Sequence, residues 1–228
     1  MAQVQVQKLA DQVTHRLAAH IIRALDEPLP SEQEICSAYH VSKTVAREVI
    51  GRLRDMKLVT VHHGRRMQRR PESDWDYLDP LLLELQDDGG TRRLLMELQE
   101  VRRLIEPEVA ARAAASRTDR QLEAIAAALD GMRNSIDDPD RYLEHDVAFH
   151  QGIVDAAHNR VASHIVDSIR ALMLTSRRYT NALPGTLPRA TGEHEAIYRA
   201  VADADPEAAR SAMIDHLDRN LAAFLAPV

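Results

Sequence analysis

The stretch from Leu29 to Leu53 constrains the fold more than any other, because it sets two helix starts close together on the chain. Leu29-Pro30-Ser31-Glu32 leads into Ser31 and Glu34, an S-x-x-E box in which a hydroxyl and a carboxylate satisfy backbone N–H groups that a helix start leaves open. The helix it opens, through Ile35, Cys36 and Ala38, has to be short, since Tyr39-His40 makes a turn and Ser42 is a good cap for a second helix. In that second helix Val45, Val49, Ile50 and Leu53 recur at helical spacing and give it a buried side, leaving Lys43, Thr44 and Arg47 on the other. Leu58-Val59-Thr60-Val61 then alternates as a strand does, His62-His63-Gly64 supplies a turn, and Arg65, Arg66, Arg69 and Arg70 continue as a basic arm. Two capped helices around a tight turn, followed by a β-wing, make a winged helix-turn-helix, whose second helix suits a DNA major groove.

Charge separates this reading from a merely solvated surface. Residues 42–70 hold nine Lys or Arg against two acids, and residues 1–70 hold twelve against seven. Residues 71–228 hold seventeen against twenty-eight, so the overall −6 conceals two regions of opposite sign. A basic patch gains from counterion release on a polyanion, while the acidic remainder repels DNA and restricts contact to one face.

The expected fold is mainly α. The winged helix-turn-helix occupies 1–70, a linker and connecting helix 71–90, and an all-α antiparallel helical bundle 91–228. Arg69-Arg70-Pro71-Glu72-Ser73-Asp74 changes sign around a proline and marks the linker. Trp75, Leu78, Leu81, Leu82 and Leu85 give a short helix up to a stop at Gly89-Gly90, and Thr91 opens a long helix to Ala115. Thr118 with Gln121, Asp138-Pro139 and Asp205-Pro206 start further helices, with two more over 160–181 and 190–203. In a chain of 228 residues with 45% apolar content, each part can bury a core. The lone Cys36 excludes an intramolecular disulfide, and the absence of a leader or a spanning apolar run points to the cytoplasm, with no membrane partner.

Polar residues interrupt the bundle's apolar stripes. Asp146 and His150 lie four residues apart beside Leu143, Val147, Ile153 and Val154, with Cβ atoms about 5–6 Å apart, a spacing that suits one cation. His216 shares a face with Ala209, Met213 and Asn220, and His194 lies near Ile197 and Val201. With eleven histidines in the chain, any one of these reads equally as a hydrogen-bonded packing residue. Taken together, three imidazoles and a carboxylate from three helices suit Zn²⁺, Ni²⁺, Mn²⁺ or Fe²⁺ and leave positions open for a ligand's oxygens. Spacing leaves both readings open. Arg177, near Arg178, Tyr179 and Asn181, reads either as a carboxylate contact or as part of an exposed helix end.

The L-P-S-E, V-S-K-T and R-E elements of the first 70 residues resemble the winged-helix domain of GntR-type transcription regulators. The resemblance implies DNA contacts at Gln33, Ser42, Lys43, Thr44 and Arg47, with His63 and Gly64 in a minor-groove wing. Gln33 stands where many such proteins have a cation, and Lys43 replaces the commoner Arg, offering a point charge in place of a planar fork. Residues 75–224 resemble the FCD ligand-binding domain of the FadR subfamily through Asp146-Val147-Ala148-Phe149-His150, Asn159, Glu193-His194-Glu195-Ala196-Ile197 and His216-Leu217. That resemblance implies a divalent metal, zinc first among the candidates, on Asp146, His150, His194 and His216, with a small carboxylate effector completing its coordination. Arg102, in the element Glu100, Arg102, Glu106, and Asn159 are implied effector contacts. The Trp75–Pro80 segment resembles that of members responding to sugar acids.

The expected function is that of a homodimeric transcription regulator on a palindromic operator, a repressor released by an organic or sugar acid. Two alternatives stand beside it: a metal-sensing repressor in which the cation is the signal, and a metal-dependent hydrolase. No further acid or base is placed for a reaction, so an enzyme is not expected.

Overall fold

The computed structural model describes residues 2–24, 27–61, 66–183 and 185–225. These form eleven α-helices and one two-stranded sheet, in two compact units, Met1–Asp87 and Asp88–Val228.

In the first unit, α1 (Ala2–Arg23) presents Ala10, Val13, Leu17, Ala18 and Ile21 as one buried stripe. Beneath it lie α2 (Glu32–Tyr39) and α3 (Lys43–Asp55). The expected caps are formed: Glu34 N donates to Ser31 Oγ at 3.3 Å, Ser31 N donates to Glu34 Oε2 at 2.7 Å, and Val45 N donates to Ser42 Oγ at 3.3 Å. His40 ends α2 in the left-handed region at φ 53° and turns the chain into α3. Ile35, Val45, Ala46, Val49 and Leu53 close the core against α1. The wing is an antiparallel pair, β1 (Val59–Thr60) with β2 (Gln68–Arg69), in the register Val59↔Arg69 and Thr60↔Gln68. Its tip, including His63 and Gly64, lies outside the described residues.

Residues 71–87, expected as a linker and connecting helix, instead belong to the first unit. Trp75, Leu82 and Leu85 join its hydrophobic core, Trp75 Nε1 donates to Arg70 O at 3.1 Å, and Asp76 N donates to Met56 O at 3.1 Å. The apolar stripe seen in the sequence is therefore spent on the N-terminal core, through a 3₁₀ turn (Glu72–Asp74) and the short α4 (Pro80–Glu84) capped by Asp79.

The second unit is all helical: α5 (Asp88–Ser116), α6 (Asp119–Arg133), α7 (Pro139–Ala156), α8 (Arg160–Ser168), α9 (Arg170–Asn181), α10 (Thr186–Ala202) and α11 (Pro206–Leu225). The caps Thr118, Asp138 and Asn159 fix the starts of α6, α7 and α8. Three expectations shift. Gly89 and Gly90 fall in the first turn of α5, where they do not stop the helix. The segment 160–181 breaks into α8 and α9 at Ile169 (φ −99°, ψ 8°). Helix α10 begins earlier than expected, at Thr186, with Gly185 at φ 73° before it and Pro188 tolerated in the first turn. Helices α6 and α7 approach closely because Gly131 and Gly152 lack a Cβ that would run into the His145 ring and Ile125. That contact seats α7, which carries Asp146 and His150.

Trp75 is the single tryptophan of the chain. Its native fluorescence should be that of a buried indole and should shift to the red on urea unfolding. A solvent-exposed spectrum in native buffer would return 71–87 to the status of a linker.

Candidate functional sites: a recognition helix and a buried histidine cluster

The face of α3 away from the core exposes Lys43, Thr44 and Arg47, with Ser42 at its start, and Gln33 is exposed on α2. Arg47 Nε lies 3.1 Å from Glu32 Oε2, an exposed pair of small energetic weight that phosphate can displace. The expected basic arm does not hold as a unit. Arg69 donates from Nε to Ile21 O at 3.1 Å and from Nη2 to Ala24 O at 2.7 Å, occupying carbonyls at the end of α1. Arg66 donates to Glu34 Oε1 at 2.6 Å, and Arg70 to Asp74 Oδ2 at 2.9 Å. These three arginines brace the wing and the first helix.

In the second unit, α7 brings Asp146 and His150, α10 His194 and α11 His216 to one buried point, with relative exposures of 4%, 5%, 1% and 3%. One donor atom from each histidine lies within 4.8 Å of the others. His150 Nε2 and His194 Nε2 are 3.1 Å apart, and Asp146 Oδ1 lies 3.1 Å from His194 Nε2 and 3.7 Å from His150 Nε2. Each imidazole is anchored from behind. His194 Nδ1 donates to Ala190 O at 2.7 Å, His216 Nδ1 donates to Glu193 Oε2 at 3.0 Å, and His150 Nδ1 faces Glu106 Oε2 at 3.5 Å. These acceptors place the proton on Nδ1 and leave Nε2 lone pairs inward, as metal-ligating histidines require. Asn220 Nδ2 donates to the His216 Nε2 lone pair at 3.2 Å. The His150 and His194 nitrogens, 3.1 Å apart, can share one Nε2 proton in a hydrogen bond or take a cation in its place, and with His216 and Asp146 they form a donor set that fits a divalent metal.

The electrostatics agree. Burial, reinforced by the Arg177 charge, pushes His150 down to about 3, and burial with the neighbouring His194 pushes His216 down to about 4, so both are neutral ligands at pH 7. Burial opposes ionisation of Asp146, but Arg177 and His194 outweigh it and hold the carboxyl well below the ordinary range. Burial likewise opposes ionisation of Glu106 and is outweighed by Arg102 and His150.

A narrow cavity adjoins the cluster, lined by Arg102, Asp146, Arg177, His194, His216 and Asn220 among others. Arg102 grips Glu106 with Nε to Oε1 at 2.5 Å and Nη2 to Oε2 at 3.2 Å, and is buried. Arg177 Nε approaches Asp146 Oδ2 to 2.7 Å without hydrogen-bond alignment. Asp146 Oδ2 and Arg177 Nε and Nη2 are therefore buried without hydrogen-bond partners, which an incoming anion can supply to the guanidinium. Asn159 is not brought to this cavity. Its Oδ1 accepts from Val161 N at 3.1 Å and Ala162 N at 3.2 Å and caps α8.

Comparison with known proteins settles the family. Residues 7–68 match the model of bacterial regulatory proteins of the gntR family, and residues 97–219 match the FCD domain. The chain belongs to the GntR family and carries an FCD domain. It is 30% identical over 190 residues to the galactonate operon transcriptional repressor of Escherichia coli (strain K12), covering 82% of each chain. It is 31% identical over 202 residues to the HTH-type transcriptional regulator LutR of Bacillus subtilis (strain 168), covering 84% of this chain and 88% of that one. Among solved structures, Streptococcus agalactiae GntR matches with a TM-score of 0.51 at 24% identity, covering 93% of this chain and 99% of the other. Lar of Listeria monocytogenes matches with a TM-score of 0.57 at 18% identity, covering 94% and 96%. These two show the shared fold. This GntR-family chain is a DNA-binding transcription regulator and not an enzyme, and no helix among its described residues is long and apolar enough to cross a membrane.

In this regulator, Glu106, Glu193 and the Ala190 carbonyl, which aim the three imidazoles, escaped the sequence reading. Glu193 and Glu106 carried a signal, standing beside His194 and four residues from Arg102.

The histidine shifts fix the sign of a pH effect. An unfolded chain protonates His150 and His216 below about 6.5, whereas the fold resists down to about 3 and about 4. The stability of metal-stripped protein should therefore fall as pH drops from 6.5, by about 2 kcal/mol per histidine at pH 5. Asp146 and Glu106, both lowered, stay ionised in both states over that window and add no slope. Equal urea midpoints at pH 7 and pH 5 would mean that the imidazoles are not held neutral.

Proposed function

We propose that this protein is a transcriptional repressor whose α3 helices, paired in a homodimer, read the half-sites of a palindromic operator, and whose FCD domain releases DNA when a small organic acid binds beside a divalent metal. The DNA-facing residues in this reading are Gln33, Ser42, Lys43, Thr44 and Arg47, with His63 and Gly64 of the wing. Asp146, His150, His194 and His216 would hold the metal, with zinc first by donor chemistry. The metal would supply a Lewis-acidic position for an acid's oxygens.

The observation that carries the reading is the juxtaposition of that donor set with the unpartnered guanidinium nitrogens of Arg177. Arg177, assisted by Arg102, binds the carboxylate, and Asn220 is placed to meet a hydroxyl. Relatives named for a galactonate operon and, at 27% identity, an L-lactate dehydrogenase operon support hydroxy and sugar acids as the first candidates. Relatives named as repressors support the direction of control. A cation-only signal would leave the Arg177 nitrogens unexplained. The acid has to bind the two conformational states unequally, and a coupling of about 1–3 kcal/mol changes operator affinity by about 5- to 150-fold.

Arg47→Ala should lower operator affinity at least tenfold in a gel-shift titration while keeping the far-UV spectrum and acid-induced thermal stabilisation. Undiminished DNA binding would remove α3 from the interface. His150→Ala combined with His194→Ala should abolish bound metal by elemental analysis and acid-induced operator release while retaining operator binding. Full metal content in that double variant would reject the site, and release by the cation alone would make the metal itself the signal.

A further inference from the structure

Helices α5 and α8 each carry large apolar side chains on a face that the bundle does not cover. On α5, Leu104 is 79% exposed and Val101 39%, turned away from the buried Arg102 and Glu106. On α8, Val161 is 69% exposed and Ile165 42%, one turn apart, while Val166 and Ile169 fill the inner side. A short helix needs one apolar face to hold it to its own bundle, and α8 has two. Single exposed apolar residues are ordinary on a monomer, whereas pairs about one turn apart on neighbouring helices mark an interaction surface. The two helices are neighbours, since Val109 of α5 and Val166 of α8 border one narrow cavity.

The polar groups beside the two apolar pairs say what covers them. Glu97 and Glu100 share the exposed side of α5 with Val101 and Leu104, and Arg160 and His164 share the exposed side of α8 with Val161 and Ile165. None of these four has a hydrogen-bond or ion-pair partner among the described residues. Their neighbours do: Arg103 pairs with Asp218 at 2.8 Å, Glu108 with Arg210 at 2.7 Å and Asp167 with Arg170 at 2.5 Å. An α5 face laid on its own copy would set acid against acid, which is costly, whereas an α8 face offers those acids a guanidinium and an imidazole. We propose that a second copy of this chain covers this surface, α5 of each protomer lying against α8 of its partner about a two-fold axis. Val101 and Leu104 then meet the partner's Val161 and Ile165, and the partner's Arg160 reaches Glu97 and Glu100. One surface is used twice, so the assembly closes at two copies. The inference rests on the reading of the protein as a homodimer on a palindromic operator and deepens it by naming the surface. The same helices lead inward to the histidines: α5 carries Glu106 behind His150, and α8 runs into α9, which carries Arg177.

The test is sedimentation equilibrium of the full-length protein. Leu104→Asp and Val161→Asp, both at exposed positions, should each weaken the dimer by about tenfold or more, with the far-UV spectrum unchanged. Glu97→Arg with Glu100→Arg should also weaken it, by like charge against Arg160, and adding Arg160→Glu to that pair should recover about fivefold or more of the loss. Recovery on combining the reversals is an outcome that damage to the fold cannot produce. Dimers as tight as the unmodified protein in both aspartate variants, or no recovery in the triple variant, overturn the inference. In that case an unmodified protein that is dimeric and prefers the palindrome to a half-site leaves the operator reading standing. A monomer that binds a half-site as tightly as the palindrome overturns both.

Discussion

The C-terminal unit depends on a charge balance sealed inside its helices. Asp146 and Glu106 are buried anions, Arg102 and Arg177 buried cations, and the histidines His150 and His216 are neutral. An isolated charge in such a place is expensive, and pairing repays the cost only when geometry is good and remaining lone pairs and protons find partners. Arg102 and Glu106 meet that condition with two contacts, whereas Asp146 and Arg177 do not, despite a 2.7 Å approach. A fully optimised hydrophobic bundle would contain neither pair. Glu193, buried behind His216 and paired with the half-exposed Arg189, is a third anion, so on the proposed reading a divalent cation would leave the buried cluster positive by about one charge, an excess an organic acid would answer. In the proposed function metal and anion would balance one another, which is the physical reason for reading the histidine cluster and Arg177 together.

The first unit spends its charges differently. The run of arginines after α3 looks like a uniform DNA-binding arm when only charge is counted, yet Arg69 occupies carbonyls at the end of α1, Arg70 reaches Asp74, and Arg66 ties Glu34 and Leu29 O together. Arg52 is likewise paired with Asp11 and Glu48. Local net charge still attracts a polyanion, but the salt dependence of binding follows the cations that meet phosphate. By exposure those include Lys43 and Arg47. The same arginines that raise the charge of the sequence thus tie the wing to the end of α1, to α2 and to the 3₁₀ turn.

The parts of this architecture legible in the sequence are those written in local chemistry. Ser31 with Glu34, Ser42, Thr118 with Gln121, and Asp138-Pro139 each specify a helix start within a few residues, and each start forms. The i,i+4 pair of Asp146 and His150 could be read from spacing, whereas its convergence with His194 and His216 could not, because that depends on how α7, α10 and α11 pack. The family resemblance supplied that step. The partners of the imidazoles were harder still: Glu106 faces His150 from another helix, and the Ala190 carbonyl has no side-chain signature at all. Asn159 erred in the other direction. A side chain that matched a motif has its Oδ1 engaged in capping α8, away from the cavity beside the histidines. Helix α1 has no cap box in the sequence to announce it, and its Ala10, Val13, Leu17, Ile21 stripe begins about two turns into the helix. Gly89 and Gly90 read as a stop but stand in the first turn of α5, where a glycine costs less than in a helix interior.

Ligand control requires groups whose interactions differ between the free and bound states, since an effector shifts an equilibrium only by its differential affinity. The outward hydrogen bonds of His194 and His216, to Ala190 O and Glu193, need not change when an acid arrives and can hold those rings in either state. Arg177 and Asn220 are different: the first lacks partners it can gain, and the second donates to a His216 nitrogen that a metal would claim. These residues lie on α9 and α11. Helix α9 is separated from α8 by Ile169 alone, at a non-helical φ of −99° and ψ of 8°, while α7 is fixed against α6 by close approaches at Gly131 and Gly152. The chain therefore divides the proposed donor set between a firmly seated helix, which carries Asp146 and His150, and helices whose polar groups would change partners on binding. A change of partner at α9 is the step by which binding energy in the cavity can become a change of shape.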